Sequence, residues 1–138
     1  MRTLAALPVL LLVLMAPLAA AGRQPIGDPA RGKVIYERCQ GCHSLAYNRT
    51  GPRHCGLFGR RAGSVPGFAY SSAMAKSNVV WNELTLNRFL SSPTRMIPGT
   101  AMTYAGVPDP QERADLIAWL RIATVSRTEC PHVEPHAR

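Results

Sequence analysis

Acidic side chains are scarce in this sequence: 138 residues hold 8 Asp and Glu against 16 Lys and Arg, a formal net charge of +8. That balance excludes an acidic disordered tail and favours partners with negative surfaces. Clustered positive charge is missing too. No run of four or more Lys or Arg occurs, and most of the basic residues are arginines standing alone, which argues against a nucleic-acid-binding face. No alternating apolar and polar run bounded by hairpin turns is present, so no sheet is expected. Internal repeats and low-complexity segments are also absent. The length suits one domain rather than two.

The one long apolar run lies at the start. Met1-Arg2-Thr3 supplies a positive charge, Leu4 to Met15 is apolar apart from Pro8, and Pro17 precedes Ala19-Ala20-Ala21, a small-residue cleavage pattern. This reads as a secretory signal over residues 1–21, leaving 22–138 as a single exported domain in the periplasm. A retained membrane anchor is the alternative, since Leu4 to Ala21 is charge-free, but its length is at the short limit for a bilayer span and two prolines interrupt it. In an oxidising compartment the four cysteines are read first as disulfides or attachment points.

The body reads as all-α with long loops. Asp28-Pro29 is an N-cap followed by a first-turn proline, and Val34, Ile35 and Tyr36 carry a helix from about Pro29 to Arg38. Ser44 to Gly67 is rich in Gly and Pro without a sustained period, and a turn or two of helix is expected near Ser71 to Lys76. Asn82 caps a helix with Leu86, Phe89 and Leu90 on one face, limited by Pro93. Asp109-Pro110-Gln111-Glu112 places an N-cap, a first-turn proline and a capping-box Glu before an apolar stripe that runs to about Ser126. Three short helices among long loops make a small core, and such loops need something to organise them. A buried prosthetic group would do so.

Cys39-Gln40-Gly41-Cys42-His43 is the pattern of covalent c-type haem attachment, in which two thiols bond the vinyl groups and the adjacent imidazole reaches the iron. A thioredoxin-like redox pair would need a strand before the first cysteine and a helix beginning at it, whereas here a helix ends there. A zinc half-site would need a second pair with ligand spacing, which Cys55 and Cys130 do not form. A chance disulfide is the third rival. For a sixth iron ligand the chain offers Met74, Met96, Met102, His54, His132 and His136. Met102 stands out because it follows Pro98-Gly99-Thr100-Ala101, a segment unsuited to helix that can approach a flat macrocycle. Residue pattern alone leaves the choice open.

Taken in order, the sequence resembles class I cytochrome c of the mitochondrial and bacterial type. Besides Cys39 to His43, the resemblance rests on Gly51-Pro52, Gly56-Leu57-Phe58-Gly59-Arg60, Pro66-Gly67-Phe68-Ala69-Tyr70, Trp81, Ile97 to Met102 and Glu112 to Leu120. It implies the cytochrome c fold, with three main helices and long loops wrapped around one covalent haem c. It implies Met102 as the second axial ligand beside His43, with the Pro52 carbonyl taking the other ring proton of His43. Arg60, Tyr70 and Trp81 are then expected around a haem propionate. Cys55 falls in a loop that passes near the end of the last helix, so a Cys55–Cys130 disulfide is expected. His54 is expected to be a surface or packing residue.

The resemblance implies a one-electron carrier, not an enzyme, because two protein ligands leave the iron no open position for a substrate. Rival functions are an electron-transfer subunit of a larger oxidoreductase, a haem peroxidase or a gas sensor. The expected partners are respiratory or photosynthetic redox complexes with acidic docking surfaces, met transiently at the membrane by a monomer. Three departures from the family stand out. Phe89 and Met74 occupy positions where the family often has Tyr and Asn, so the polar network near the axial sulfur should be reduced. Thr94, Ala101 and Asp109 fall where docking lysines are common. Arg38, Arg49, Arg53 and Arg95 remain as docking candidates.

Overall fold

The computed structural model describes residues 25–131, so the leader, His132 and His136 lie outside the described residues. Within them the fold is all-α: α1 Pro29–Tyr36, α2 Ser72–Ala75, α3 Glu83–Ser91, α4 Pro93–Met96 and α5 Pro110–Ala123. Extended pairing among the described residues is limited to one isolated bridge between Arg61 and Val80.

The helix starts follow from side-chain capping. The Asp28 carboxylate accepts from Ala30 N at 2.8 Å, and Pro29 occupies the first turn, where a missing N–H costs nothing. α1 stops at Tyr36 rather than Arg38, because the chain tightens into a 3-10 turn over Glu37–Cys39. The Cys39 carbonyl then accepts from Cys42 N at 3.1 Å and His43 N at 2.9 Å, folding the attachment motif into a compact turn. α2 is a single turn capped by Ser71. α3 begins in a reciprocal box, with Asn82 accepting from Thr85 N and Thr85 from Asn82 N, each at 2.9 Å. Its Leu86, Phe89 and Leu90 are buried.

Three further expectations need correction. Pro93 does more than limit α3; it opens α4, an added turn whose first position suits proline. At the last helix, Asp109 accepts from Glu112 N at 2.8 Å, but the capping box is only half made. The Glu112 carboxylate takes both arms of Arg38 instead, at 2.8 and 2.9 Å. α5 ends at Ala123, three residues before Ser126, where the Thr124 backbone N–H closes the final turn.

α1 and α5 cross at a glycine. A Cβ on Gly32 would lie 2.0 Å from the Asp115 carbonyl oxygen, so only glycine permits this approach of the two backbones. Beneath the crossing, Asp115 is 2% exposed. Its carboxylate accepts from Asp28 N at 2.7 Å, Arg31 Nε at 2.8 Å, Arg31 Nη2 at 3.1 Å and Gln111 Nε2 at 2.9 Å. A buried carboxylate met by four donors is satisfied, and it ties the start of α1 to α5. Beyond α5 the chain returns to the Cys55 loop, where Cys55 and Cys130 are joined by a disulfide. Gly56 N donates to the Thr124 carbonyl at 2.8 Å beside it.

The Arg31 hydrogen bonds hold the Asp115 carboxyl down at about 2, against an ordinary 3.8. A native group that gives up its proton more readily than the unfolded one adds stability that is complete above the unfolded value and lost as pH falls through the folded one. Stability should therefore decline between about pH 4 and pH 2, and Asp115→Asn should flatten that slope while costing about 1–3 kcal/mol at neutral pH. Denaturant titration of both proteins across that range is the check. Separately, replacing Cys55 and Cys130 by serine opens a covalent loop of 75 residues. The expected loss is up to about 4 kcal/mol by the chain-entropy relation, seen as a lower denaturant midpoint.

Candidate functional site

The loops and helix faces converge on a cavity of about 300 Å³. Cys39, Cys42, His43, Pro52, Arg60, Tyr70, Trp81 and Met102 all line it. They arrive from five places: the turn after α1, the Gly51-Pro52 bend, the loops at Arg60 and Tyr70, the entry to α3, and the loop between α4 and α5. Most of the remaining wall is apolar, with Leu57 from a loop, Leu86, Phe89 and Leu90 from α3, and Leu116 and Leu120 from α5. Met74 and Met102 both face the cavity. Met96 does not line it, and packs against the core instead.

His43 is held in a ligating form. Its Nδ1 is 2.8 Å from the Pro52 carbonyl oxygen. A carbonyl can only accept, so Nδ1 carries the proton and Nε2 keeps a free lone pair. Burial lowers the pKa of the ring, outweighing that hydrogen bond, and keeps it neutral at neutral pH. Gly51 lies against the ring: a Cβ there would fall 2.4 Å from His43 Cε1. Burial also pushes the Cys39 thiol up to about 11, the opposite of what a reactive redox dithiol requires.

Arg60 is anchored by the chain itself. Its guanidinium donates to the Cys55 carbonyl at 2.8 Å and the Arg53 carbonyl at 3.0 Å. Among the described residues no carboxylate pairs with it, and burial lowers its pKa. An unneutralised cation on an otherwise apolar wall suits an anionic substituent. The Tyr70 hydroxyl accepts from Val65 N at 3.3 Å. Trp81 is buried and packs on Phe89, ring centroids 5.0 Å apart. Phe89 and Met74 contribute no hydroxyl or amide to the wall, so the side chains at those two positions bring no polar network. The donor set of two thiols, a neutral imidazole, a thioether and a lone guanidinium fits a covalently attached haem.

Of the two readings expected for His54, surface or packing, the structure shows packing, in a contact sequence reasoning did not foresee: its ring stacks on His43 with centroids 4.3 Å apart and planes 24° from parallel. Its Nδ1 lies 3.0 Å from the Tyr36 hydroxyl. Desolvation, then the neighbouring His43 and Arg60, hold its pKa well below the ordinary histidine range. The available signal was a histidine two residues past Pro52 together with a tyrosine on the inward face of α1. Of the docking candidates, Arg38 is neutralised by Glu112 and Arg49 donates to the Gln40 carbonyl at 2.6 Å. Thr94, Arg95, Ala101 and Asp109 are exposed.

Residues 29–124 match the family described as Cytochrome c. The chain is 40% identical to a cytochrome c2 of Rhodomicrobium vannielii over 104 residues, 73% of this chain and 83% of that protein. It is 43% identical to a cytochrome c of Sesamum indicum over 110 residues, 77% of this chain and 99% of that protein. Among solved structures it is similar to cytochrome cH from Methylobacterium extorquens, with a TM-score of 0.67 and 36% identity, covering 69% of this chain and 98% of that one.

The contact of Gly51 with His43 makes a sharp test. Gly51→Ala must displace the ring or the bend and should cost about 1–3 kcal/mol in thermal or denaturant unfolding. Gly41→Ala, in the same motif but with nothing within 4 Å of the added carbon, should change stability by under about 0.5 kcal/mol.

Proposed function

The chain belongs to the cytochrome c family of electron-carrying proteins with one covalent haem c, and from that premise we propose that His43 and Met102 ligate its iron. The observation that carries this reading is the meeting of Cys39, Cys42, His43 and Met102 on one apolar cavity, with the imidazole oriented by Pro52. Cys39 and Cys42 would form the two thioether bonds. When bound, the haem supplies a one-electron Fe(III)/Fe(II) couple.

The protein's own residues then govern that couple. The Pro52 carbonyl fixes the His43 tautomer and leaves Nε2 to the metal. The Met102 thioether is soft and neutral, and the apolar wall penalises added positive charge, so both favour the reduced state. Arg60, with Tyr70 and Trp81 nearby on the same wall, would meet a propionate. Held by both His43 and Met102, the iron would offer no open position to oxygen or peroxide, which is why the reading is a carrier and not a peroxidase or a gas sensor. Redox complexes with acidic surfaces are the proposed partners, approached by a monomer. Arg53 and Arg95 offer docking charge, whereas Arg38 is already paired with Glu112.

We further propose that residues 1–21 are a cleaved leader and that the protein works in the periplasm. The sequence pattern of those residues supports this, as does a disulfide between Cys55 and Cys130, which an oxidising compartment favours. No helix among the described residues is long and apolar enough to cross a membrane.

The purified protein should show a low-spin c-type spectrum with the near-infrared band of an iron–methionine bond. Its reduced form should bind negligible carbon monoxide at neutral pH, and Met102→Ala should bind it stoichiometrically. Ready binding by the unaltered protein would instead favour the peroxidase or sensor reading.

A further inference from the structure

Three aromatic side chains form a continuous line of contacts behind His43, tilted at the first two steps and stacked at the last. Trp119 of α5 packs on Tyr36 of α1 with ring centroids 4.3 Å apart. Tyr36 is 1% exposed and reaches His54, its hydroxyl 3.0 Å from Nδ1. His54 then covers one face of the His43 ring at 4.3 Å. A hydroxyl and a ring nitrogen at that distance share one hydrogen bond, which sets the rotation of the His54 ring about its own bonds.

An imidazole bound to iron through Nε2 keeps one soft degree of freedom, rotation about the metal–nitrogen axis. A hydrogen bond at Nδ1 restrains this rotation, but a single carbonyl oxygen accepts over a broad range of directions. A flat ring lying against the face restrains it much more narrowly, because any turn of the imidazole drives its edge into the neighbour. Gly51 lies over a face of the ring, and a Cβ there would overlap three of its atoms.

We propose that His54 is a positioning residue for His43, its ring anchored by Tyr36 and laid face to face on the imidazole so as to fix the orientation of the ligand plane. This rests on the iron ligation proposed above. Neither residue need touch the metal. Their function is to select one rotation of the ligand, and through Trp119 that selection is tied to the packing of α1 on α5.

Orientation of an axial imidazole plane is read directly in the oxidised protein, from the low-spin electron paramagnetic resonance g values and the spread of the haem-methyl proton shifts. His54→Leu, which removes the flat face, should move both, while the near-infrared band shows the methionine bond intact. His54→Phe restores a flat face without the Tyr36 hydrogen bond and should recover part of the original pattern. Tyr36→Phe keeps both rings and should produce a smaller shift in the same direction as His54→Leu. A His54→Leu protein with the original g values and methyl spread overturns the proposal. If that variant fails to fold, an unchanged pattern in Tyr36→Phe overturns it equally. Should the unaltered protein lack a low-spin six-coordinate spectrum, the ligation itself is wrong and the positioning role falls with it.

Discussion

The close crossing of α1 and α5 is the constraint on which the rest depends. Two backbones can approach this nearly only where one residue has no side chain, and Gly32 provides that place over the Asp115 carbonyl. The Asp115 carboxylate beneath gathers donors from both ends of the contact. This crossing holds α1 so that the chain following it brings Cys39, Cys42 and His43 to the cavity wall. It also directs the end of α5 back toward the Cys55 loop. If the crossing slipped by a residue, the attachment motif and the apolar face of α5 would no longer border the same space.

Beside that crossing the core is unusual, since α3 and α5 turn apolar side chains onto a cavity as well as onto neighbouring elements. Leu86, Phe89, Leu90, Leu116 and Leu120 turn inward but do not close the gap. The group that performs the chemistry is therefore also expected to take part in the packing of this apolar wall. Covalent attachment suits this double duty, because a group that is part of the core cannot be allowed to leave. Arg60 fits the same logic. Its charge is tolerated on the apolar wall because two backbone carbonyls steady it while its remaining field is directed at the cavity.

Local chemistry made much of this legible in the sequence. Asp28-Pro29, Asn82 and Asp109-Pro110 each mark a helix start by a side-chain acceptor, joined at the first and last by a proline that needs no N–H, and each lies where it was expected. The Cys39 to His43 motif was readable for a similar reason, since few other structures need those residues at that spacing, whereas Met102 was chosen from its rivals only by the family resemblance. What escaped notice depended on partners distant in the chain. Glu112 looked like a capping residue until Arg38, 74 residues away, claimed its carboxylate. Pro93 read as a stop, and only the surrounding packing shows it also starting a turn. His54 carried only a faint local sign, its place two residues past Pro52; its significance arises from Tyr36 and His43, which the fold brings to it.

The bond between Cys55 and Cys130 has a consequence for the order in which the chain matures. Four thiols allow three pairings, and synthesis delivers Cys39, Cys42 and Cys55 well before Cys130 emerges. For most of that interval every available pairing is a wrong one. The correct crosslink is the last to become accessible, while in the periplasm proposed above the two thiols that would bond the porphyrin must stay reduced in surroundings able to oxidise their neighbours. Successful biogenesis therefore demands either early capture of Cys39 and Cys42 or a reductant that repeatedly frees them, and the chain's own geometry shifts that burden onto the cell.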